Sequence, residues 1–426
     1  MWKWEPRDRG TSLKHAPCFY SVVREAPIMT ETVDAHVLEQ FQITKKVGQG
    51  AYGIVWQAIH RESGNAVALK KCFDAFRNNT DSKRTFREVM YLKALSGHEN
   101  IVNILGVLPS SGDRDLYITF EYMQTDLSHV IKAKLLTEIH IKFIAYQTLR
   151  ALKYIHSAEL IHRDIKPSNI LIDDNCCIKI CDFGLMRSVD EKLFGNVQLT
   201  DYVMTRWYRA PEVLFGSKMY TKGVDLWSVG CIIGENYTFG EKLCTCSYLC
   251  PMPMYSHPSQ ISITCVGEMI RGRPLMAGAS TMAQIQKVLE VTGNPTDQTV
   301  ASWQSPFAQA MLNNANAKQR LQLNELCPNM PRDAKRMLKR LFRLDPNERI
   351  TAEAALEHEY LGEFHNPETE PSYSHGPIDT GINGNSKLSA EQYRIKLYEA
   401  LGINARTCYT KARKVTLDGT DNDAGI

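Results

Sequence analysis

Residues 162–184 read HRDIKPSNILIDDNCCIKICDFG, and this stretch decides the fold. It places Asp164, Lys166, Asn169 and Asp182 at a spacing used to hold a nucleotide, a metal and a substrate hydroxyl. Asp164 is expected to accept the hydroxyl proton or to orient the nucleophile, and Lys166 to neutralise charge on the transferring phosphoryl group. Asn169 and Asp182 are expected to ligate magnesium ions that bridge the phosphates. The run therefore predicts phosphoryl-transfer chemistry.

A second stretch, GQGAYGIV at 48–55, supplies glycines for a turn over phosphates. Glycine lets a strand–turn–strand fold tightly while backbone N–H groups face the anions. The same glycine spacing also occurs where a dinucleotide site opens a helix. Residues 54–58 continue as a β-type run, which favours two strands over that alternative. VALK at 67–70 and APE at 210–212 follow in the chain.

Together these runs resemble the eukaryotic protein kinases. The resemblance implies a bilobal α+β fold within 41–361, with a β-rich N-lobe at 41–120 and a mostly helical C-lobe at 124–361. It implies ATP and Mg²⁺ as cofactors, with Lys70 on the α- and β-phosphates and Glu88, in a helix at 82–95, as its ion-pair partner. Residues 121–123 are the implied hinge, with Phe120 as gatekeeper. The implied ATP-binding residues are Val47, Gly48, Gly50, Tyr52, Gly53, Val55, Ala68, Lys70, Glu88, Glu121, Met123 and, at the ribose, Asp126.

Length and composition fit one two-lobed unit or two small domains. The chain has 426 residues, of which 43% are hydrophobic, enough for a large core. Its formal net charge of +3 gives no bulk electrostatic reason to expect nucleic acid or a membrane as partner. It has no apolar run of 18 residues and no apolar signal-peptide core. Twelve cysteines without regular spacing predict reduced thiols and an intracellular protein, cytoplasmic or nuclear. We expect Cys181 beside the nucleotide site, where an electrophile could reach its thiol.

The segment between DFG and APE contains Thr200-Asp201-Tyr202, just ahead of the block TRWYRAPE at 205–212. This arrangement resembles the mitogen-activated protein kinases, in which the Thr and the Tyr are both phosphorylated. Two phosphates add about −3 to −4 charges at pH 7, which nearby arginines can capture. The arginines implied are Arg87, Arg163 and Arg187 for phospho-Thr200, with Arg206 and Arg209 for phospho-Tyr202. The alternative is that Thr200 and Tyr202 are ordinary loop residues.

Arg206 and the neighbouring lip also resemble the pocket by which the family selects proline after the target residue. The implied partners are protein substrates with Ser-Pro or Thr-Pro sites. Cyclin-dependent kinases share that preference but lack the paired Thr-x-Tyr. Residues 70–92 (KKCFDAFRNNTDSKRTFREVMYL) and the Thr-Asp-Tyr lip are most similar to the atypical extracellular-signal-regulated-kinase branch. That resemblance, over roughly 29–401, implies self-activation; an upstream dual-specificity kinase is the other possibility.

Residues 235–267 depart from the pattern of the family. There, DLWSVGCIIG at 225–234 is expected to run straight into EMIRGRPL at 268–275 as one buried helix and its exit. Gly-Glu occurs at both junctions, so deletion of the segment restores the expected run. Three prolines and few charges suit neither a helix nor a solvated loop, which favours unspliced or wrongly assigned coding sequence. The alternative is that the segment is a real loop that interrupts a core helix of the C-lobe. For the function, the alternative to an active kinase is an inactive isoform or a scaffold, because of this insertion.

Five residues of that segment could be interpreted as metal ligands. The candidates are Cys244, Cys246, Cys250, His257 and Cys265. Their spacing lacks the paired C-x₂-C of structural zinc sites, so zinc is the weaker interpretation.

Both ends of the chain lie outside the predicted kinase domain. Residues 1–28 show no helix or strand period, and they are expected to be a disordered leader or a non-native start before Met29. Within the extension 362–426, Ser389 and Gln392 form a capping-box pattern for a helix at 389–402. We expect that helix to pack on the kinase core through Tyr393, Leu397, Ala400 and Leu401. Arg349 is expected to pair with Glu212.

Overall fold

The N-lobe is built on a five-stranded antiparallel sheet with the strand order β1-β2-β3-β5-β4. The computed structural model describes residues 32–50, 53–112, 114–189, 205–217, 220–237, 274–315, 321, 323–382 and 388–403. The strands are β1 (Phe41–Gly50), β2 (Gly53–His60), β3 (Ala66–Cys72), β4 (Ile104–Pro109) and β5 (Leu116–Glu121). Short strands of the C-lobe are β6 (Thr125–Asp126), β7 (Leu160–Ile161), β8 (Ile170–Ile172), β9 (Ile178–Ile180) and β10 (Arg187–Ser188).

The two strands after the glycine-rich turn have the alternation of a sheet with one buried face. Ile54, Trp56 and Ala58 on β2 are buried, and the residues between them are half-buried. A Cβ added to Gly53 would lie 2.2 Å from the carbonyl oxygen of Lys71, so only glycine allows β2 to approach β3 here. The prediction of strands, and not of a helix, after the glycine-rich turn is therefore confirmed.

The helices, in chain order, begin with a short α1 that packs on the N-lobe sheet and α2, the main helix of this lobe. Their bounds are α1 (Ala35–Gln40), α2 (Asn79–Ala94), α3 (Leu127–Ala133), α4 (Glu138–Ser157), α5 (Pro211–Leu214), α6 (Gly223–Tyr237), α7 (Thr281–Thr292), α8 (Asp297–Ser302), α9 (Ala308–Asn314), α10 (Leu323–Leu326), α11 (Arg332–Leu341), α12 (Ala352–Leu356) and α13 (Ala390–Leu401). Together with the sheet they form the predicted two-lobed α+β kinase fold. None of the helices in the described ranges is long and apolar enough to span a membrane.

Helix α2 begins three residues earlier than the predicted 82–95. The side chain of Asn78 accepts hydrogen bonds from the backbone N–H groups of Thr80 and Asp81, which starts the helix at Asn79. This cap satisfies two of the backbone donors that a helix start leaves unpaired. The predicted start at Ser82 was therefore wrong, because the cap lies upstream of the apolar positions that suggested it.

The core of the C-lobe is centred on α4 and α6. Five apolar residues of α4 that recur at helical spacing are all buried: Ile141, Ile144, Ala145, Leu152 and Ile155. Helix α6 is buried around nearly its whole circumference, as expected for a helix in the centre of a lobe. It continues through Glu235 to Tyr237, so the helix extends three residues beyond Gly234 into the stretch that the sequence marks as an insertion.

The predicted pair of Arg349 and Glu212 is confirmed and joins α5 to the loop before α12. Two guanidinium nitrogens of Arg349 donate to the two carboxylate oxygens of Glu212 at 2.9 and 3.0 Å. Arg349 also donates to the carbonyl oxygens of Gly223 and Arg343. Both charged side chains are fully buried, so each depends on the other for compensation.

Helix α13 lies against α2 of the N-lobe. Its capping box is complete, with Ser389 and Gln392 each accepting from the backbone N–H of the other. The ring of Tyr393 lies 5.8 Å from that of Phe86, and the ammonium of Lys93 donates to the carbonyl oxygen of Ala400 at 2.7 Å. The last helix of the described chain thus braces the main helix of the N-lobe.

Candidate active site

The loop at 162–169 is held by one buried carboxylate from α6. Asp225 accepts the backbone N–H of His162 at 2.9 Å and of Arg163 at 2.8 Å, and its Oδ2 lies 2.9 Å from Nε2 of His156. Burial alone would raise the pKa of Asp225, but the hydrogen bond and charge of His156, with those of His162, outweigh it and lower the pKa. The carboxylate stays ionised and fixes Arg163 in a left-handed conformation, at φ 70°.

Three residues of this loop form one hydrogen-bonded cluster. The ammonium of Lys166 donates to Oδ2 of Asp164 at 2.7 Å, and the amide nitrogen of Asn169 donates to the same oxygen at 3.0 Å. Asn169 also donates to the backbone carbonyl of Asp164 at 2.9 Å. Because its nitrogen is engaged, the oxygen of the Asn169 amide is the atom suited to a cation. The loop therefore brings together the three catalytic-loop residues that the sequence singled out.

Lys70 and Glu88 join the sheet to α2. Lys70 lies opposite Val55 in the β2–β3 pairing, directly below the glycine-rich turn. Its ammonium donates to Oε1 of Glu88 at 2.5 Å, and Glu88 is buried. Burial alone would lower the pKa of Lys70, but Glu88 outweighs it and raises the pKa above its ordinary value. A permanently charged ammonium is thus held at the base of the nucleotide cleft.

Asp182 is approached by a residue of α2 that the sequence analysis did not select. Nη2 of Arg84 lies 3.5 Å from Oδ1 of Asp182. Burial alone would raise the pKa of Asp182, but the charges of Lys70 and Arg84 outweigh it and lower the pKa. The carboxylate is therefore ionised, and together with the Asn169 oxygen it offers the hard oxygen ligands that Mg²⁺ prefers. These two residues fit the predicted magnesium site.

The mouth of the cleft contains the remaining predicted ATP-binding residues. Ala68 pairs with Phe120, which is buried, and the strand continues into the hinge at Glu121 and Met123. Open space surrounds the positions that a Cβ would take on Gly48 and Gly50, whereas the side chain of Val47 is 47% exposed. Tyr52 lies outside the described residues. The carboxylate of Asp126 caps α3 by accepting from the backbone N–H groups of Ser128 and His129, so it is fixed at the entrance.

Cys181 immediately precedes Asp182, and its backbone N–H donates to the carbonyl oxygen of Asn169. Burial raises the pKa of the Cys181 thiol, and the charge of Asp182 raises it further. The thiol is therefore a weak nucleophile, although it borders the cleft.

Arg87 on α2 and Arg163 in the catalytic loop are near enough for their charges to interact. Both are buried, and burial, together with the charge of Arg163, lowers the pKa of Arg87 to about 10. Arg187 on β10 lies opposite Ile161 on β7, and Ile161 precedes Arg163 by two residues. The Nε atom of Arg187 is buried without a hydrogen-bond partner in the described part of the chain. Thr200 and Tyr202, the predicted phosphorylation sites, lie outside the described residues.

The end of the lip forms a tight 3₁₀ turn at Arg206–Tyr208. Arg206 donates to the carbonyl oxygen of Ala279 at 3.1 Å, and the indole of Trp207 donates to that of Gly278 at 3.2 Å. The neighbouring Arg209 is half-buried at the start of APE. Arg206 and Trp207 therefore contact the segment that leads into α7.

Two residues of the site escaped the sequence analysis, although signals for them exist. Arg84 lies four residues before Glu88, and residues at that spacing share one face of a helix. Asp225 is a charged residue among the apolar residues of the first turns of α6, which is the pattern of a buried carboxylate that needs hydrogen-bond partners.

Comparison with known proteins identifies the family. The protein kinase domain matches residues 41–247. Extracellular signal-regulated kinase 2 of Dictyostelium discoideum is 44% identical over 372 residues, which cover 87% of this chain and 92% of that protein. The chain belongs to the mitogen-activated protein kinase family. A mitogen-activated protein kinase is a protein serine/threonine kinase, and the predicted fold and class of enzyme are confirmed.

Two further mitogen-activated protein kinases indicate the branch. Mitogen-activated protein kinase 15 of Xenopus laevis is 42% identical over 402 residues, which cover 92% of this chain and 62% of that protein. Extracellular signal-regulated kinase 7 of Drosophila melanogaster is 39% identical over 378 residues, which cover 87% of this chain and 38% of that protein. The chain thus spans less than two thirds of the length of both relatives. The predicted resemblance to the atypical branch is confirmed.

Proposed function

We propose that this mitogen-activated protein kinase transfers the γ-phosphoryl group of ATP to Ser or Thr followed by Pro. The observation that carries the proposal is the cluster of Asp164, Lys166 and Asn169, which shares one cleft with Asp182 and the Lys70–Glu88 pair. Such a cluster combines a proton acceptor, a cation and ligands for magnesium, as phosphoryl transfer requires.

Each residue has a distinct role in the proposed reaction. Asp164 accepts or orients the proton of the substrate hydroxyl, and its hydrogen bonds to Lys166 and Asn169 hold the carboxylate in one orientation. Lys166 offsets negative charge on the transferring group, and Lys70 contacts the α- and β-phosphates. When bound, Mg²⁺ neutralises phosphate charge; Asn169 and Asp182 would hold it through oxygen atoms.

Phosphorylation of Thr200 and Tyr202 is the proposed activating step. The burial of Arg87 and Arg163, whose charges interact, supports it, because a phosphate group would form charge-assisted hydrogen bonds with their guanidinium groups. With Arg187, these two would receive phospho-Thr200, and Arg206 and Arg209 would receive phospho-Tyr202. The charge-assisted bonds would order the lip and bring the lobes together. Whether an upstream kinase or the chain itself supplies the phosphates is a matter for experiment.

The continuity of α6 supports an active enzyme over a scaffold. Helix α6 carries Asp225, on which the catalytic loop depends, and it is helical through Tyr237. The part of α6 that holds the catalytic loop is therefore helical in the chain that carries the insertion. The residues between Cys244 and Cys265 that were considered as metal ligands lie outside the described residues.

The test is phosphate transfer to two peptides that differ only in having Ser-Pro or Ser-Ala. The full chain should phosphorylate the Ser-Pro peptide faster, and Asp182→Ala serves as the blank. A Thr200→Ala, Tyr202→Phe double variant should lose most of the activity of the phosphorylated enzyme. No transfer above the blank, even with Thr200 and Tyr202 phosphorylated, would refute the proposal.

A further inference from the structure

Tyr220, in the loop between α5 and α6, packs against a catalytic-loop residue on which the proposed activation depends. The guanidinium carbon of Arg163 lies 5.1 Å from the centre of the Tyr220 ring, and the Tyr220 hydroxyl is within hydrogen-bonding reach of the same guanidinium group. An aromatic face attracts a cation, and the planar guanidinium of arginine can also stack on it. Tyr220 therefore restricts the orientation of a side chain that is otherwise long and flexible.

The rest of Arg163 is fixed by other contacts. Asp225 accepts its backbone N–H at 2.8 Å, and the residue has a left-handed φ of 70°. Its Nη1 donates to the carbonyl oxygen of Leu185 at 3.3 Å. The backbone and one nitrogen are thus held by the catalytic loop and its surroundings, and Tyr220 adds an aromatic face to the guanidinium group.

Tyr220 is also close to a second arginine of the lip. Burial raises the pKa of the Tyr220 hydroxyl, whereas the charges of Arg163 and Arg209 partly offset the rise. The phenol therefore keeps its proton and stays neutral. The two cations that act on it belong to different proposed sites, because Arg163 is assigned to phospho-Thr200 and Arg209 to phospho-Tyr202.

A neutral aromatic ring is suited to holding an arginine for a phosphate. It orients the guanidinium group without neutralising its charge, which a carboxylate would do. Side-chain freedom that is lost before the phosphate arrives does not oppose binding. The carboxylate whose charge also acts on Tyr220 is that of Glu212, and Arg349 binds both of its oxygens.

We propose that Tyr220 is a positioning residue for activation: its ring orients Arg163, and through its proximity to Arg209 it serves both phosphate-binding sites of the lip. This role rests on the proposed phosphorylation of Thr200 and Tyr202. The gain in activity and in stability that phosphorylation brings should therefore depend on the residue at position 220.

The experiment compares the doubly phosphorylated and the phosphatase-treated forms of full-length variants. For each form, kcat/KM on the Ser-Pro peptide and the Tm are measured. Tyr220→Leu should reduce the ratio of kcat/KM between the two forms by roughly two- to thirtyfold, the range for loss of a cation–π contact. The increase in Tm on phosphorylation should also shrink. Tyr220→Phe keeps the aromatic face and should retain most of both gains.

Variants with a single phosphorylation site test the two arginines separately. Only Thr200 can be phosphorylated in Tyr202→Phe, and only Tyr202 in Thr200→Val. Addition of Tyr220→Leu should reduce the increase in Tm on phosphorylation in both of these variants. A reduction in only one of them would overturn the role that Tyr220 shares between the sites.

Tyr373→Leu is the matched control. Tyr373 is also half-buried, but its ring packs 5.6 Å from that of Tyr154 on α4. Its loss should lower the stability of both forms equally and leave the ratio of kcat/KM unchanged, as a merely structural role of Tyr220 would also do.

If Tyr220→Leu does not fold, Tyr220→Met takes its place, because methionine fills a similar space without an aromatic face. Unchanged gains in either variant would overturn the role of Tyr220. A complete loss of both gains in Tyr220→Phe would overturn the role of the ring. No gain from phosphorylation in the unaltered chain would instead overturn the proposed activation itself.

Discussion

Lys70 and Lys71 are adjacent on β3, yet they do different work because successive side chains of a strand point to opposite faces. Lys70 points into the cleft and binds Glu88 at 2.5 Å. Lys71 points to the outer face, where it lies 3.3 Å from Asp115 and 5.3 Å from the centre of the Tyr117 ring. Substitution of each lysine in turn should therefore distinguish a loss of catalytic activity from a loss of stability.

Lys70→Met should lower kcat by roughly a hundredfold or more, the typical loss when one preorganised electrostatic donor is removed from an active site. Lys71→Met should cost some stability, because it removes ion pairs with Asp34 and Asp115, and should leave kcat within about twofold, because its side chain points away from the cleft. Steady-state kinetics with a thermal melt of each variant provide the measurement. Equal losses of kcat in both variants would contradict the assignment.

Cys181 provides a second prediction at this scale. Since burial raises the pKa of its thiol, a mild alkylating reagent at neutral pH should modify Cys181 more slowly than the exposed Cys177. Peptide mapping by mass spectrometry over time gives both rates in one sample. Faster labelling of Cys181 would mean that the cleft opens enough to hydrate the thiol.

At the scale of elements, motifs predicted even a distant contact such as the Arg349–Glu212 pair, whereas contacts that no motif marks were missed. The cluster of Asp164, Lys166 and Asn169 spans only six residues, and its spacing was sufficient to predict it. The partner of Asp182, by contrast, is Arg84, which lies 98 residues earlier, so only the packing of α2 on the cleft reveals it. The start of α2 was missed for a local reason, because the Asn78 cap precedes the apolar positions.

The end of α6 shows the same limit in another form. The sequence could not say which Gly-Glu completes the helix, because both junctions carry the same dipeptide. The contacts in the structure distinguish them. Glu235 lies on α6 and accepts a hydrogen bond from Tyr208, and the preceding Gly234 packs against Leu275. Physical context, and not pattern, made the assignment.

The buried ion pair of Arg349 and Glu212 joins α5 to the loop before α12, so its removal should lower the stability of the fold. Arg349→Leu should lower the free energy of unfolding by about 3–5 kcal/mol, because it leaves Glu212 as an uncompensated buried charge. The double change Arg349→Leu, Glu212→Leu should cost less than Arg349→Leu alone. Chemical denaturation of the two variants beside the unaltered chain tests the order. A double variant less stable than the single one would show that packing, and not charge, dominates here.

At the scale of the whole molecule, His98 lies where the two lobes meet. Its ring packs 4.7 Å from that of Tyr154 on α4, and its Nδ1 accepts the backbone N–H of Asn100. Burial, together with the nearby charge of Arg150, lowers the pKa of His98 to about 4. The native state therefore requires a neutral imidazole at this junction.

The protein should lose stability as the pH falls from about 6.5, the ordinary histidine pKa, to about 4. Above 6.5 the imidazole is neutral in both states, whereas between the two values only the unfolded chain takes up the proton, so unfolding is favoured. The loss for this one group approaches roughly 3 kcal/mol, at about 1.4 kcal/mol for each pKa unit. Urea unfolding at several pH values measures it.

His98→Asn should flatten that part of the pH profile, because asparagine does not titrate but can still accept the Asn100 N–H. His375, which is exposed, is the control position, and His375→Asn should leave the profile unchanged. A profile equally steep in His98→Asn would assign the acid sensitivity to other groups.

The brace between α13 and α2 has a consequence for how the protein is made. The contact of Lys93 with Ala400 joins residues 307 positions apart. At typical synthesis rates of about 5–20 residues per second, roughly 15–60 s pass between the emergence of α2 from the ribosome and that of its brace. Throughout that interval Phe86 lacks its aromatic neighbour Tyr393, so a nascent N-lobe presents an apolar surface to chaperones. Emergence of α13, and not completion of the sheet, is the event that covers this surface.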